Sequence, residues 1–317
     1  MTNKFSQYVT RQVVISPKRY DVMASFCHFD AKNQIADYVV HYLKSLSQAG
    51  ADIYFVSNCP QIADSELDKI KPFVAQIILR KNIGYDFGCY FTGYAYAANE
   101  GYKTVTFVND SCYGPFYQLG PLYERMKEFD MWGISDAYAG RYHIQSNFWV
   151  FNNMKDFLDK EAETFKFISI KEQVVGRYEE GISQKIIAYG YKVGVLCDNK
   201  LIAEFEKQST DPILIRLKSN IKEIAAKKIN FARRIKAFFC PWLKKKNHKK
   251  VYEHASLTGI FSCWYAAVKY FDCPLIKVGL LKRPVMEKYH EGEYINLLKE
   301  KYPDYDVNMI LRHLGKI

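Results

Sequence analysis

Between Arg80 and Tyr94 the chain reads RKNIGYDFGCYFTGY, with Asn82, Gly84, Asp86 and Gly88 at alternating positions. Glycine lets a backbone come close to a ligand and adopt positive φ, while Asn and Asp offer hydrogen bonds. The stretch is too irregular for a helix face and too glycine-rich for a strand. It suits a loop that holds a polar group, or a structural loop whose Asp86 caps the next helix. Two further groupings bring oxygen ligands and carboxylates. Asn109-Asp110-Ser111 follows the apolar run VTFV, and Glu179-Glu180 begins the stretch EEGISQKIIAYGY. Such an acid pair can move protons, or can be acids favoured in a first turn by the helix dipole.

These residues need a scaffold. YDVMASFCHFD predicts a buried strand over about Asp21–Cys27. Ile35, Val39, Tyr42 and Leu43 follow at helical spacing, and the segment ends on Gly50. ADIYFVSN predicts a second strand, SELDKIKPFV a short helix opened by Ser65, AQIILR a third strand and GYKTVTFVND a fourth. Strand–helix–strand alternation of this length implies parallel strands joined by crossover helices. Ligands in such sheets bind beyond the carboxyl ends of the strands. His28, Asp30, Ser57, Asn58, the Asn82–Gly88 stretch and Asn109-Asp110 all fall at such ends, enough to line one nucleotide-sized crevice. FDMWGISD and HIQSNFWVFN add strands with polar residues inside apolar runs. EEGISQKIIAYGYKVGVL predicts a helix ending at Gly190 and a further strand.

Bulk composition narrows the class. The chain has 317 residues, 49% hydrophobic and 25% charged, the profile of a globular protein. Its net charge of +11 is local: residues 216–250 hold thirteen of the 45 Lys/Arg and one of the 34 Asp/Glu, leaving 32 basic and 33 acidic residues elsewhere. Charge confined to one segment, without a recognised nucleic-acid motif, argues against a nucleic-acid-binding protein. The eight cysteines are scattered, with no CxxC pair, which argues against a zinc site or a disulfide framework. No run is apolar and long enough to span a bilayer, and MTNKFSQYVTRQ has no signal-peptide core. A cytoplasmic location is expected.

NIGYDFG, VTFVNDSCYGPF, WGISD, HIQSNFWVFN and EEGISQKIIAYGY together resemble the rhamnan synthesis protein F family, bacterial glycosyltransferases of cell-wall and O-antigen polysaccharide assembly. The resemblance is strong over roughly residues 20–205 and extends to CPLIKVGLLKRP and ILRHLGKI. Beneath it lies a likeness to GT-A-type transferases. The fold this implies is α/β, a GT-A-like (Rossmann-like), mostly parallel sheet flanked by helices, with a helical C-terminal extension. Residues 1–210 would form the transferase domain, 211–250 a basic amphipathic helix, and 251–317 a helical segment packed on the main domain. The activity implied is transfer of a sugar, rhamnose from dTDP-rhamnose, to a lipid-linked polysaccharide. His28, Asp30, Ser57, Asn82, Gly84, Asp86, Gly88, Asn109 and Asp110 would bind the donor nucleotide sugar. Asp136, His143 and Gln145 would touch the acceptor or the donor sugar. A satisfied structural histidine is an equal reading of His143.

The resemblance also implies two reaction roles. GT-A enzymes present Asp-x-Asp at the strand end, where this chain has Asn109-Asp110-Ser111. Asp110 is left as the one carboxylate for a divalent cation, Mg²⁺ or Mn²⁺, helped by donor phosphates and water. The alternative is a basic side chain or a helix N-terminus that neutralises the diphosphate. Counting back from Gly190 puts Glu179 at the place of the usual catalytic base, with Glu180 as runner-up. A rival reading is a non-catalytic saccharide- or nucleotide-binding subunit. Finally, Leu214, Leu217, Ile221, Ile224, Phe231, Ile235 and Phe238 form an apolar stripe beside many cations. Residues 213–250 would then dock on an anionic membrane surface at the cytoplasmic face. Packing of the stripe on the protein's own core is the alternative.

Overall fold

The apolar runs of the sequence become strands buried on both faces. In the computed structural model, residues 2–138, 140–220, 263–282, 290 and 292–317 are described. Helix α1 (Thr2–Ser6) and strand β1 (Val9–Val14) lead into β2 (Val22–His28), α2 (Asp37–Gln48), β3 (Ala51–Ser57), α3 (Asp64–Asp68), β4 (Gln76–Arg80), α4 (Tyr85–Ala97) and β5 (Thr104–Asn109). Then come β6 (Cys112–Tyr113), α5 (Gly120–Met126), β7 (Met131–Ala137), β8 (His143–Ile144), β9 (Phe148–Asn152), α6 (Lys155–Thr164) and α7 (Lys171–Val174). A π-helical turn (Val175–Glu179) runs into α8 (Glu180–Ala188), followed by β10 (Val193–Cys197) and α9 (Asn199–Gln208). Residues 212–220 are helical. The C-terminal part adds helices Trp264–Tyr270, Val278–Leu281, Glu293–Lys301 and Asn308–His313, with β11 (Ile276–Lys277) among them.

The main sheet has the order β1-β4-β3-β2-β5-β9-β7-β10, with β8 paired to β7. β4, β3, β2 and β5 are mutually parallel, and β10 is parallel to β7. β9 runs against both β5 and β7, and β1 runs against β4 at the edge. One inverted strand inside a parallel sheet is the GT-A-like α/β architecture that the resemblance implies. The carboxyl ends of β2, β3, β4, β5, β7 and β10 therefore share one edge. The edge strand β1 was not anticipated: VTRQVV is largely exposed or half-buried, so it lacks the apolar run that marks the interior strands.

Two cores cover the two faces. Along β2, Ala24 and Phe26 belong to one, Met23 and Cys27 to the other, as the pleat requires. The first core takes α2 through Tyr38, Val39, Tyr42, Leu43 and Leu46, and also Trp264, Tyr294, Leu298 and Ile310 of the C-terminal helices. Burial of each such leucine contributes roughly 1.5–3 kcal/mol. The second core takes α4 through Phe87, Tyr90, Phe91 and Tyr94. Nearly all of α4 is buried, so its sequence shows no polar face. That explains why the stretch from Arg80 to Tyr94 reads as a loop and is a helix from Tyr85 onward. α3 begins at Asp64 with Ala63 at its cap position, one residue ahead of the Ser65 expected to open it.

The basic segment divides. Leu214 and Leu217 are buried in the first core, so the first two members of the apolar stripe pack on the protein itself. Ile221, Ile224, Phe231, Ile235 and Phe238 lie outside the described residues. Among the described residues no helix is long and apolar enough to cross a membrane.

α4 approaches the sheet at Gly93, where an added Cβ would fall 2.1 Å from Ser25 Oγ and 3.1 Å from Val56 Cγ2. Gly93→Ala is expected to cost about 1–3 kcal/mol through overpacking, read as a lower urea midpoint at unchanged slope. Gly120→Ala, with nothing within 4 Å of an added Cβ, serves as the control.

Candidate functional site

Four parallel strands deliver polar residues to one edge. At the end of β2, buried His28 contacts Ser57 Oγ of β3 through Nδ1 at 2.9 Å and the Gln34 carbonyl through Nε2 at 3.2 Å. Burial lowers its pKa to about 4, so the ring is neutral near pH 7. Ser57 Oγ also accepts from Cys59 N–H at 3.1 Å. Asp30 caps its own turn, accepting from the backbone N–H groups of Lys32 at 2.8 Å and Gln34 at 3.2 Å. At the end of β4, fully buried Arg80 donates to Asn58 Oδ1 at 2.6 Å and to the Ile83 carbonyl at 2.9 Å.

The carboxylates gather where α4 begins. Gly84 holds a left-handed φ of 81° at the N-cap position, a conformation open to glycine at little cost. Asp86 then falls in the first helical turn, favoured there by the dipole. Its Oδ2 accepts from Asn109 Nδ2 at 2.9 Å, and Cys27 Sγ–H donates to its Oδ1 at 3.6 Å. Asn109 Oδ1 accepts from Ser111 N–H at 3.1 Å and Ser111 Oγ–H at 2.6 Å. Asp110 Oδ2 accepts from Phe29 N–H at 2.8 Å, while Tyr38 OH donates to the Asp110 carbonyl at 2.9 Å. Asp86 and Asp110 keep a partly open edge to solvent, yet protein atoms crowd both. Burial therefore raises the pKa of each. Asp86 is also pulled down by Lys277 and pushed up by Glu179. Asp110 is pushed up to about 7 by burial, opposed by the Phe29 hydrogen bond and assisted by Asp86 and Asp30.

The two neighbouring glutamates separate. Glu179 Oε1 accepts from Ser146 N–H at 2.8 Å and Ser146 Oγ–H at 2.9 Å, close enough to Asp86 for its charge to be felt there. Glu180 instead pairs with Arg141 at 3.1 Å, and an added Cβ on Gly140 would fall 2.6 Å from its Oε1. Glu179 ends a π-helical turn and Glu180 begins α8, and as neighbours on a helix the two acids face different partners.

Other expected residues serve the interior or stand apart. Gly88 lies inside α4, where an added Cβ would fall 2.4 Å from the Ile83 carbonyl and 2.9 Å from Arg80 Nη1. Its missing side chain makes room for the guanidinium. Asp136 is buried and accepts from Asn199 N–H at 2.9 Å. His143 Nδ1 meets the Arg141 carbonyl at 2.8 Å, and Gln145 Oε1 accepts from Ser135 Oγ–H at 2.7 Å. Asn82 is exposed on the short loop before α4. A cleft lined by His41, Ser45, Pro115 and Tyr305 includes none of the strand-end carboxylates.

A resident divalent cation fits this donor set poorly. Among the described residues no three His, Cys, Asp or Glu side chains converge as metal ligands. The Asn109 amide turns its oxygen to Ser111 and its N–H to Asp86, so it has no oxygen to give. Mg²⁺ takes near-octahedral oxygen ligands at short range, and Asp110 is the one carboxylate at the strand end. Sequence reasoning missed Arg80, Tyr38 and Lys277, and named Ser146 for sugar contact rather than as the partner of Glu179. Only strand pairing brings Lys277 beside Ser111, and no local pattern carries that information.

A family model described as rhamnan synthesis protein F matches residues 53–249. Two curated relatives, both the virulence protein VirA of Vibrio anguillarum, are 42% identical over 86 residues, which is 26% of this chain and 27% of each relative. The chain thus spans about a quarter of the length of the curated relatives it matches. Among solved structures, the glycosyltransferase GlyE of Streptococcus pneumoniae TIGR4 matches 82% of this chain and 65% of its own at 14% identity and a TM-score of 0.38. A protein assigned as a nucleotide-diphospho-sugar transferase from Desulfovibrio desulfuricans G20 matches 62% of this chain and 95% of its own, at 14% identity and a TM-score of 0.35.

The raised carboxyl of Asp110 gives a pH signature. It titrates near 7 in the folded protein against an ordinary 3.8, so folding takes up a proton between those values. Its contribution to stability is fully present below about pH 4 and is lost as pH rises through 7. Wild type is expected to lose stability relative to Asp110→Asn over that window, measured by urea titration at each pH. Parallel curves from pH 4 to 8 would refute it.

Proposed function

Because the chain belongs to the rhamnan synthesis protein F family, we propose that it is a glycosyltransferase using a nucleotide-sugar donor, with Glu179 as the catalytic base. Family and fold support a sugar transferase. One observation carries the assignment of the base. The Glu179 carboxylate is held by Ser146 beside Asp86 and the end of β5, the edge where ligands of such sheets bind. In the reaction, an acceptor hydroxyl oxygen attacks the anomeric carbon and forms the new C–O bond. The bond from that carbon to the diphosphate oxygen breaks, and its electron pair stays on the diphosphate. The hydroxyl proton passes to Glu179. His28, Asp30, Ser57, Asn82, Gly84, Asp86, Asn109 and Asp110 make up the donor side, with Gly88 shaping it through Arg80. Asp136 on β7, His143 on β8 and Gln145 just after it are assigned to the acceptor or the donor sugar.

The finer reading is rhamnose from dTDP-rhamnose and a lipid-linked glycan acceptor, on the ground of the family name alone. A second reading, a non-catalytic nucleotide-sugar- or saccharide-binding subunit, draws on Asn109-Asp110-Ser111 standing where GT-A enzymes have Asp-x-Asp. Turnover separates the two. In the same proposal, the cations of residues 213–250 hold the protein to anionic membrane where such an acceptor is presented, each cation near the surface adding roughly 1 kcal/mol.

Three measurements test these statements. In a thermal-shift panel of sugar nucleotides, the true donor at a hundredfold excess over its Kd should add roughly 2.7 kcal/mol. Glu179→Gln should keep donor binding and lose turnover by about 10²-fold or more, while Glu180→Gln stays near wild type. Full turnover in Glu179→Gln would remove the base assignment. Flotation should need anionic liposomes, weaken with salt, and vanish when Lys244, Lys245 and Lys246 become Glu. Equal recovery with neutral lipid would refute membrane docking.

A further inference from the structure

The short strand β11 pairs antiparallel with β6, setting Lys277 opposite Cys112. Val278 N–H donates to the Ser111 carbonyl at 2.9 Å, and Lys277 Nζ donates to Ser111 Oγ at 3.3 Å. A residue 166 positions away in sequence is thus fastened next to Asn109 and Asp110. Its side chain is half-buried. Among the described residues no carboxylate forms an ion pair with it, although its charge is felt at Asp86 and Cys112. An ammonium with spare donors, fixed at the mouth of an otherwise acidic crevice, fits a ligand group of high negative charge.

We propose that Lys277 is the cation that faces the diphosphate of the donor, in the place where a divalent metal would otherwise stand. This inference rests on the glycosyltransferase reading above. Asn109 turns an N–H rather than an oxygen toward Asp86, and Asp110 already accepts from Phe29. The site therefore offers a dication few ligands, and the ammonium would repel it. When the anomeric C–O bond breaks, the electron pair left on the diphosphate oxygen is met by Nζ–H. No proton is transferred there, since the acceptor proton goes to Glu179. The ammonium strengthens as charge develops on the leaving group, which is the condition for acceleration rather than mere binding.

Isothermal titration in EDTA tests this, with dTDP, UDP and GDP each compared with its nucleoside. Wild type is expected to bind one diphosphate without metal. Lys277→Gln should weaken that binding about tenfold or more and leave nucleoside affinity unchanged, with Lys277→Arg between the two. Lys282→Gln, which removes a neighbouring exposed charge, should bind as wild type. Diphosphate affinity unchanged in Lys277→Gln, or binding that appears only with Mg²⁺, overturns the inference and leaves the transferase reading standing. Failure of wild type to bind any of the three, with or without Mg²⁺, overturns both. Should Lys277→Gln not fold, lysine acylation of the unaltered protein decides: the bound diphosphate should protect Lys277, and equal labelling with and without it overturns the inference.

Discussion

Arg80 ends β4 with no exposed surface, and a buried guanidinium has to find oxygen partners inside the protein or destabilise it. Among the described residues no carboxylate pairs with it. Its partners are the Asn58 side chain and the Ile83 carbonyl, with the Phe167 ring 5.6 Å away. Those contacts tie the ends of β3 and β4 to the chain just before α4. Gly88 then presses against the same guanidinium from inside the helix. The start of α4 is fixed by this one group, and with it the position of Asp86. Asp86 is placed by a cation that does not touch it.

Around that anchor the crevice balances burial against charge. Protein crowds Asp86, Asp110 and His28, and each shifts toward its neutral form. Lys277 and the hydrogen bonds from Asn109 and Phe29 work the other way at the carboxylates. A diphosphate entering such a site meets fewer fixed negative charges than the residue types suggest. The inverted strand β9 contributes as well. Through the turn before it, Ser146 reaches Glu179, so one hydroxyl and one backbone N–H decide which of two adjacent acids turns to the crevice.

The sequence made the sheet legible because its interior strands are continuous apolar runs, and Asn109-Asp110 at a strand end followed from the same pattern. A helix after NIGYDFG was expected, but its start at Tyr85 was not legible, since a helix buried all round has no polar stripe to set its period. Nor was the use of Gly88, because positive φ and close packing select the same residue type. Asp136, His143 and Gln145 stand at strand ends, as expected, but satisfy partners inside the protein. Lys277 is fixed by a partner 166 positions away, and Arg80 joins the nearby Ile83 carbonyl to Asn58, 22 positions back, so no short window of residues contains the whole of either arrangement.

Leu214 and Leu217 are buried in the same core as Cys263 and Trp264, and Cys263 Sγ–H donates to Glu206 Oε2 at 3.7 Å. The part of the chain that carries Lys277 is therefore held to the sheet by packing and hydrogen bonds, independently of the peptide bonds that connect the two. A chain cut between those anchors would present the sheet and the C-terminal helices as two pieces with one shared core, able to complement each other as separately made fragments.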